Sequence, residues 1–421
     1  MKEIAVPTLL WYGDTQLRLQ FPSKWKINVC PMMGNDFPPL NDKAIKKAFS
    51  KPIGSKTIGE LARNSKEVAI VVDDMTRPTR IYTILPPLLR ELEENGISDS
   101  HIRFIVGLGL HGACDRVDFV KKLGEEVVER FPVYNHNPFG SLTYVGDTSR
   151  GTPVKVNSEF MACDLKIGIG CIVPHPYAGF GGGSKIILPG IVGLDTIAHN
   201  HGKVAGYTGV KANPHSSTGW GKVENNELQL DNREAARLVG LNIKIDAIIN
   251  GWGQTVGLFV GDVYQEYLEG LKMAKKVYAT ETPKETDIVI ANTYAKANEA
   301  SLAMWLANKT VKKGGTIVLI ANAPDGQVTH YLYGKFGENV GGTLYSGKRH
   351  YPKLGKLIVY SPHIVKDPFL QIADPNEMVW LKNWKEVLEE LKKDHSEKSK
   401  VVLYPNTEIQ IPPEEIRGIP T

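Results

Sequence analysis

The run Leu165-Lys166-Ile167-Gly168-Ile169-Gly170-Cys171-Ile172-Val173-Pro174-His175-Pro176-Tyr177-Ala178-Gly179-Phe180-Gly181-Gly182-Gly183-Ser184-Lys185 sets an apolar stretch of strand length before a glycine-rich turn. Leu165 to Val173 reads as a buried β-strand that feeds the turn. The missing side chains at Gly181, Gly182 and Gly183 let a bulky ligand approach the backbone. His175 and Lys185 flank that turn, so the strand delivers two titratable groups to one place.

Working outward, the same strand-then-helix pattern recurs. Residues 67–72 read as a strand followed by a helix over 82–95 that stops at Gly96, and residues 102–110 as a strand followed by a helix over 115–131 with Asp115 as its N-cap. Asp195 is expected to cap a helix that carries His199 and His201. Later strands are expected at 243–249, 287–292, 316–321, 357–360 and 400–404, and helices at 263–279 and 383–395. This alternation predicts an α/β chain whose parallel-type sheets are flanked by helices. Thr280-Glu281-Thr282-Pro283 reads as a hinge. It divides the chain into a cofactor-binding and catalytic domain, 1–279, and an α/β substrate-binding domain, 280–421, with the active site in the cleft between them. The last strand is free in this reading to pack back on the first domain.

Composition narrows the function. The 421 residues are 42% hydrophobic and 23% charged, an ordinary globular balance with enough length for two cores. A net charge of +4, from 50 basic and 46 acidic residues, is too small on this length to imply nucleic-acid or membrane binding. Cys30, Cys114, Cys163 and Cys171 lie far apart, so neither a zinc ribbon nor a disulfide framework is expected. The N-terminus has no secretory pattern and no apolar run is of spanning length, so the expectation is a soluble cytoplasmic protein.

Two further segments place reactive groups after apolar runs: Asp73-Asp74-Met75-Thr76-Arg77-Pro78-Thr79-Arg80 and Gly107-Leu108-Gly109-Leu110-His111-Gly112. Arg77 offers a planar fork for a carboxylate or phosphate, while Asp74 and Thr76 offer hydrogen-bonding groups to a polar cofactor. Each segment alone also reads as a turn or a packing site. His111 and His175 at two strand ends form a potential acid–base pair on opposite faces of a planar centre. The glycine run lacks the spacing of a phosphate-binding loop, Gly-x-x-x-x-Gly-Lys-Ser/Thr, and of the dinucleotide fingerprint. His199 and His201, two positions apart, point to different sides of a regular helix, so at most one reaches a given metal and a cofactor must supply the other ligands.

These residues resemble the nickel-dependent lactate racemase family. The shared segments are Asp-x-Thr-Arg-Pro at 74–78, Gly-x-His at 109–111, and the Pro-His-Pro-Tyr-Ala-Gly-Phe-x-Gly-Gly-x-Lys segment ending at Lys185; Asp147 to Val154 and Ile187 to Ile191 are similar as well. The resemblance implies a nickel-pincer nucleotide, the pyridinium-3-thioamide-5-thiocarboxylic acid mononucleotide with its Ni, tethered through Lys185 and lying against Asp74, Met75, Thr76 and Arg77. It implies His201 as the protein ligand to nickel, with His199 as the alternative. It further implies that His111 or His175 takes the substrate hydroxyl proton while the Cα hydrogen leaves as hydride to the cofactor. A 2-oxo acid forms, and hydride and proton return on the other face. Arg77 would hold the carboxylate, and separate cofactor-biosynthesis enzymes would be partners.

The chain departs from that family in the second domain, where Asn292-Thr293-Tyr294-Ala295-Lys296-Ala297-Asn298-Glu299 matches the substrate segment at Tyr294 and Lys296 but lacks the Tyr-Gln-x-x-Lys that follows. Asn298 and Glu299 are placed to bind extra hydroxyls, or else to cap the next helix. The expected activity is inversion of C2 of a 2-hydroxy acid, extending to substrates larger than lactate such as a sugar acid. The rival expectations are a hydrolase or lyase that binds a divalent metal directly through His111, His175 and His201, and a non-enzymatic cofactor or nickel carrier.

Overall fold

In the computed structural model, which describes residues 1–207, 213–332, 351–363 and 372–419, two six-stranded sheets carry the fold. The chain opens with an antiparallel hairpin, β1 (Lys2–Thr8) and β2 (Thr15–Phe21), and a short strand β3 (Lys26–Val29). β4 (Val68–Asp73) is buried at every position, as a β-branched run covered on both faces must be. Helix α1 (Leu85–Glu94) leads to β5 (Ile102–Gly107), and α2 (Arg116–Leu123) precedes β6 (Val133–Asn135). A hairpin of β7 (Leu142–Asp147) and β8 (Pro153–Asn157) comes before β9 (Leu165–Cys171), which enters the small hairpin β10 (Pro174–His175) and β11 (Gly179–Phe180). Helix α3 (Glu227–Val239), β12 (Ile243–Ile249), β13 (Thr255–Gly261) and α4 (Gln265–Val277) follow.

The first sheet has the order β13-β12-β9-β4-β5-β6, parallel except for β13 against β12. The chain winds from β4 outward to β6, then restarts at β9 and winds the other way. The switch therefore falls between β4 and β9, and ligands of open α/β sheets bind at such a point, outside the carboxyl ends of the strands.

The second sheet is built from β14 (Thr286–Asn292), helix α5 (Ala303–Thr310), β15 (Val311–Ile320), β16 (Lys356–Tyr360), β17 (Met378–Leu381), helix α6 (Trp384–Asp394) and β18 (Lys400–Tyr404). Its order, β17-β16-β15-β14-β18-β3, is parallel throughout and reverses between β14 and β18. Each sheet thus offers one switch point.

Several elements differ from the sequence reading. The helix over 115–131 keeps its Asp115 cap but is cut at Gly124, whose φ of +91° ends α2 before a second short helix, Glu125–Arg130. Asp195 does not cap its helix: Gly193 is the N-cap, Asp195 lies in the first turn, and Lys155 pairs with its carboxylate. That helix, Leu194–Ile197, widens into π-helical Ala198–Val204, so the two histidines do not follow ordinary helical spacing.

Residues 1–29 lie with the second sheet, because β3 pairs with β18 and the β1–β2 hairpin buries Val6, Leu19 and Phe21 against Trp384 and Ile288. The last strand, β18, sits inside the second sheet and does not pack back; the tail behind it does, with Ile409 and Ile411 in the first sheet's core and Ile411 N–H donating to Tyr278 O at 3.0 Å. Thr280, at the expected hinge, is buried and bonded to Ile411 and Gln410.

Candidate active site

The segment after β4 is held by its own side chains and by one lysine. Asp74 Oδ1 accepts Thr76 N–H at 3.0 Å and Thr76 Oγ1–H at 2.5 Å, a side-chain turn that aims Arg77 across the strand ends. Lys122 on α2 pairs with Asp73 Oδ1 at 2.7 Å and donates to Asp74 O at 2.9 Å and Arg77 O at 2.7 Å. The sequence reading passed over Lys122 because lysine is normally solvated. Its place three residues after Phe119, beside Leu123, was the available signal.

His111, which follows β5, is 2.6 Å from Asp74 Oδ2 through Nδ1. Burial alone would raise the Asp74 carboxyl, but His111, Arg77 and Thr76 hold it well below the usual carboxylate range. The ionised Asp74 takes the Nδ1–H, which leaves Nε2 of His111 as a proton acceptor. A strap from beyond the second sheet closes over this histidine: Gly112 N–H donates to Thr329 O, Tyr331 N–H donates to Leu110 O, and the His330 ring packs edge-on at 5.2 Å. Burial, and then His111, push His330 down to about 3. No periodicity marks His330 in the sequence; only the backbone pairing brings it here.

His175 has the opposite tautomer. Its Nδ1 accepts the N–H groups of Tyr177 at 3.1 Å and Ala178 at 3.2 Å, so the neutral ring carries its proton on Nε2. The glycine-rich turn behind it is fastened from below. Gln229 on α3 donates to Ala178 O and Phe180 O, Tyr267 on α4 donates to Phe180 O, and Asp246 on β12 accepts Gly183 N–H at 2.5 Å. At Gly179, φ +73°, a side chain would strike Lys222 O at 2.2 Å.

Lys185 ends this turn with its Nζ buried and without a hydrogen-bond partner among the described residues. Burial first, then the cations of Arg77 and Lys296, push it down to about 7, so much of it is a neutral nucleophilic amine near neutral pH. It borders a cavity of about 70 Å³ walled by Asp74, Arg77, His111 and the glycines at the ends of β5 and β9. His201 is buried, edge-on to Tyr177 at 6.0 Å, and is pushed far down by burial, Lys185, His330 and His111. His199 instead meets Thr152 Oγ1 at 2.9 Å, in the network around Asp231. The structure therefore turns His201 towards the site and His199 away from it.

The second sheet completes the site from its own switch point. Glu408, just after β18, accepts the N–H groups of Tyr294 and Lys296, each at 2.8 Å, and so shapes the turn after β14. Lys296 Nζ and Arg77 Nη1 meet on one oxygen, Glu299 Oε2, at 2.6 Å and 3.0 Å. Asn298 donates to Met75 O at 3.1 Å. Tyr294 lines a neighbouring cavity of about 230 Å³ with Asn298, Asn322 and Gln327, but its hydroxyl is engaged by Asp14 and Trp252 O. Loops after strands of both sheets thus line the same cavity.

Two switch points, a carboxylate-backed histidine, a second histidine of opposite tautomer, a buried amine and an Arg–Lys pair sharing one carboxylate mark the site of an α/β enzyme. Comparison with known proteins is consistent. The lactate racemase N-terminal domain family matches residues 12–212. The lactate racemase of Thermoanaerobacterium thermosaccharolyticum is 27% identical over 348 residues, 80% of this chain and 79% of that one, and the lactate racemase of Lactiplantibacillus plantarum is 31% identical over 292 residues, 68% and 66% of the two chains. The apoprotein structure of the former superposes with a TM-score of 0.72 at 22% identity over 97% of this chain and 99% of that one. A Thermotoga maritima protein structure gives 0.64 at 17% identity over 88% and 97%. The chain belongs to the lactate racemase family and is an isomerase of the racemase type.

Proposed function

We propose that this enzyme inverts C2 of 2-hydroxy acids with a nickel-pincer nucleotide tethered through Lys185. The observation that carries the reading is Lys185 itself, a buried amine of unusually low proton affinity with no hydrogen-bond partner among the described residues, beside a glycine-walled cavity that it shares with His111. These residues fit the group. Lys185 is the tether, buried His201 the imidazole for nickel, and Asp74, Met75, Thr76 and Arg77 the segment laid against the nucleotide. When bound, the group supplies the hydride chemistry at C2, through a planar 2-oxo acid.

The side chains supply the rest. Arg77 and Lys296 orient the carboxylate, the first as a planar fork and the second as a point charge. His111 Nε2, backed by Asp74, receives the hydroxyl proton of one enantiomer and becomes imidazolium, while His175, once its Nδ1 is protonated, gives up the Nε2 proton on the opposite face and returns to a neutral ring. In the reverse direction the two exchange roles. Asn298, Glu299 and the cavity of about 230 Å³ beside them favour a substrate larger than lactate, such as a sugar acid, whose further hydroxyls would meet amide and carboxylate groups. The reading places the enzyme in the cytoplasm beside the cofactor-building enzymes; among the described residues no helix is long and apolar enough to cross a membrane.

A directly bound metal on His111, His175 and His201 has no support: among the described residues no three His, Cys, Asp or Glu side chains converge as metal ligands. The test is co-expression with a pincer-cofactor biosynthesis system, followed by denatured mass, peptide mapping, nickel analysis and chiral assay of 2-hydroxy acids. An adduct on Lys185 with bound nickel and inversion at C2 is expected; an unmodified Lys185 from a system that loads a control racemase overturns the reading.

A further inference from the structure

Beneath the glycine-rich turn lies a set of buried charges with no part in the chemistry above. Asp246 on β12 is wholly buried; one oxygen accepts Gly183 N–H and the other pairs with Lys244 Nζ, each at 2.5 Å. Lys244 Nζ, equally buried, also donates to Ile245 O at 2.9 Å. Gly170 at the end of β9 marks where this pair meets the other active loop: a methyl group placed there would stand 3.4 Å from Asp246 Oδ1, Lys244 Nζ and Asp73 Oδ2 alike. Asp73 is the carboxylate that, with Lys122, anchors the Asp74–Arg77 segment. The two active loops therefore hang from two buried pairs, Lys122–Asp73 and Lys244–Asp246, that converge on Gly170. Glu266 on α4 is buried near Asp246, and burial and then that neighbouring carboxylate push its carboxyl far up.

A buried ion pair is a poor way to gain stability, since desolvation offsets most of the attraction. Its other effect is directional: a carboxylate that accepts from an ammonium and a backbone N–H in a low-dielectric interior has little freedom to turn. We propose that Asp246, clamped by Lys244, is a positioning residue for Lys185, fixing the turn through Gly183 N–H and keeping it in register with the Asp74–Arg77 segment. In this role the pair holds the Lys185 amine inside the cavity, next to Arg77 and away from water. The proposal concerns the chain before any cofactor is attached, so it stands or falls separately from the tether.

The test is competitive labelling of the cofactor-free protein with trace acetic anhydride between about pH 5.5 and 10, read at Lys185 by peptide mass spectrometry and spanning its buried and ordinary titration ranges. The variants are Asp246→Asn, Lys244→Met, Glu266→Gln and the paired Lys244→Met with Asp246→Leu. In the first two the labelling midpoint of Lys185 should rise by about one pH unit or more as the amine reaches solvent. Glu266→Gln, which leaves the Lys244–Asp246 pair and the Gly183 N–H contact in place, should leave it unchanged. The paired replacement removes both charges together, the change a buried pair tolerates best, so it keeps a folded comparison if either single variant unfolds. It should show the same rise. A wild-type midpoint in the folded variants, even with a lowered melting temperature, would make Asp246 a purely structural residue and overturn the proposal.

Discussion

Arg77 of the first sheet's loop and Glu299 of the second sheet's loop are joined by a 3.0 Å ion pair, and Lys296 reaches the same carboxylate oxygen at 2.6 Å. Glu299 thus stands where a substrate carboxylate would bring its own negative charge. Either the incoming acid shares the two cations with it, or Glu299 gives up Arg77 and turns to the substrate's hydroxyls. Both need a residue that neutralises part of the cluster and still accepts hydrogen bonds.

Glu299→Gln separates these roles. The amide no longer competes for Arg77, so KM for a simple 2-hydroxy monocarboxylate should fall, while kcat/KM for a polyhydroxy acid should drop by about 10- to 100-fold as a charged acceptor is lost. Initial rates on the two substrate classes, followed by chiral chromatography, would show it; a parallel loss on both would return Glu299 to a scaffold role.

Asp74→Asn removes the charge behind His111 while nearly preserving shape. The 2.6 Å contact at Nδ1 then no longer selects the tautomer with a free Nε2, and turnover should fall by at least about 10²-fold, the scale of one proton-transfer group. The pH dependence has a definite sign. The folded-state value of Asp74 is depressed, so its stabilisation is present above the ordinary carboxylate value of about 4 and is lost as pH falls below that. Denaturant melts of wild type and Asp74→Asn should accordingly converge on acidification; curves that stay parallel would show that Asp74 carries no such linkage.

Lys122→Met leaves Asp73 buried without its cation and the carbonyls of Asp74 and Arg77 without their donor. Breaking such a site from one side costs about 3 to 5 kcal/mol, measurable as a lower denaturation midpoint with unchanged slope. Activity should suffer more than at a comparable core site, since the segment carrying Arg77 loses its fastening.

Sequence pattern made the sheets legible, because apolar and β-branched residues dominate the buried strands: residues 243–249, despite Lys244 and Asp246, and 400–404 are strands as read. The residues at the strand ends were legible for the same reason, since charge directly after such a run has few structural uses. What pattern does not encode is which strand neighbours which. The four residues of β3 carry no mark of pairing with β18, 374 positions later by register (400 − 26 at the Lys26–Lys400 pair). For the same reason Lys122, Asp246, Glu408 and His330 escaped notice. Each acts on a segment remote in sequence, through a hydrogen bond or ring contact that only the tertiary fold creates.

Lys185 offers a check that needs no cofactor. Its value in the folded chain is about 7, against about 10.4 for an unfolded lysine, so between those limits the unfolded state holds the extra proton. Stability therefore rises with pH from about 7 to about 10, the reverse of the trend for a lysine gaining an anionic partner. Lys185→Met carries no proton in either state and should lack this rise. Urea unfolding of both proteins without cofactor, at intervals from pH 7 to 9.5, should show the wild type gaining on the variant as pH increases. Equal slopes would mean that Lys185 is solvated and charged in the folded chain, and the buried neutral nucleophile on which the tether depends would be lost with it.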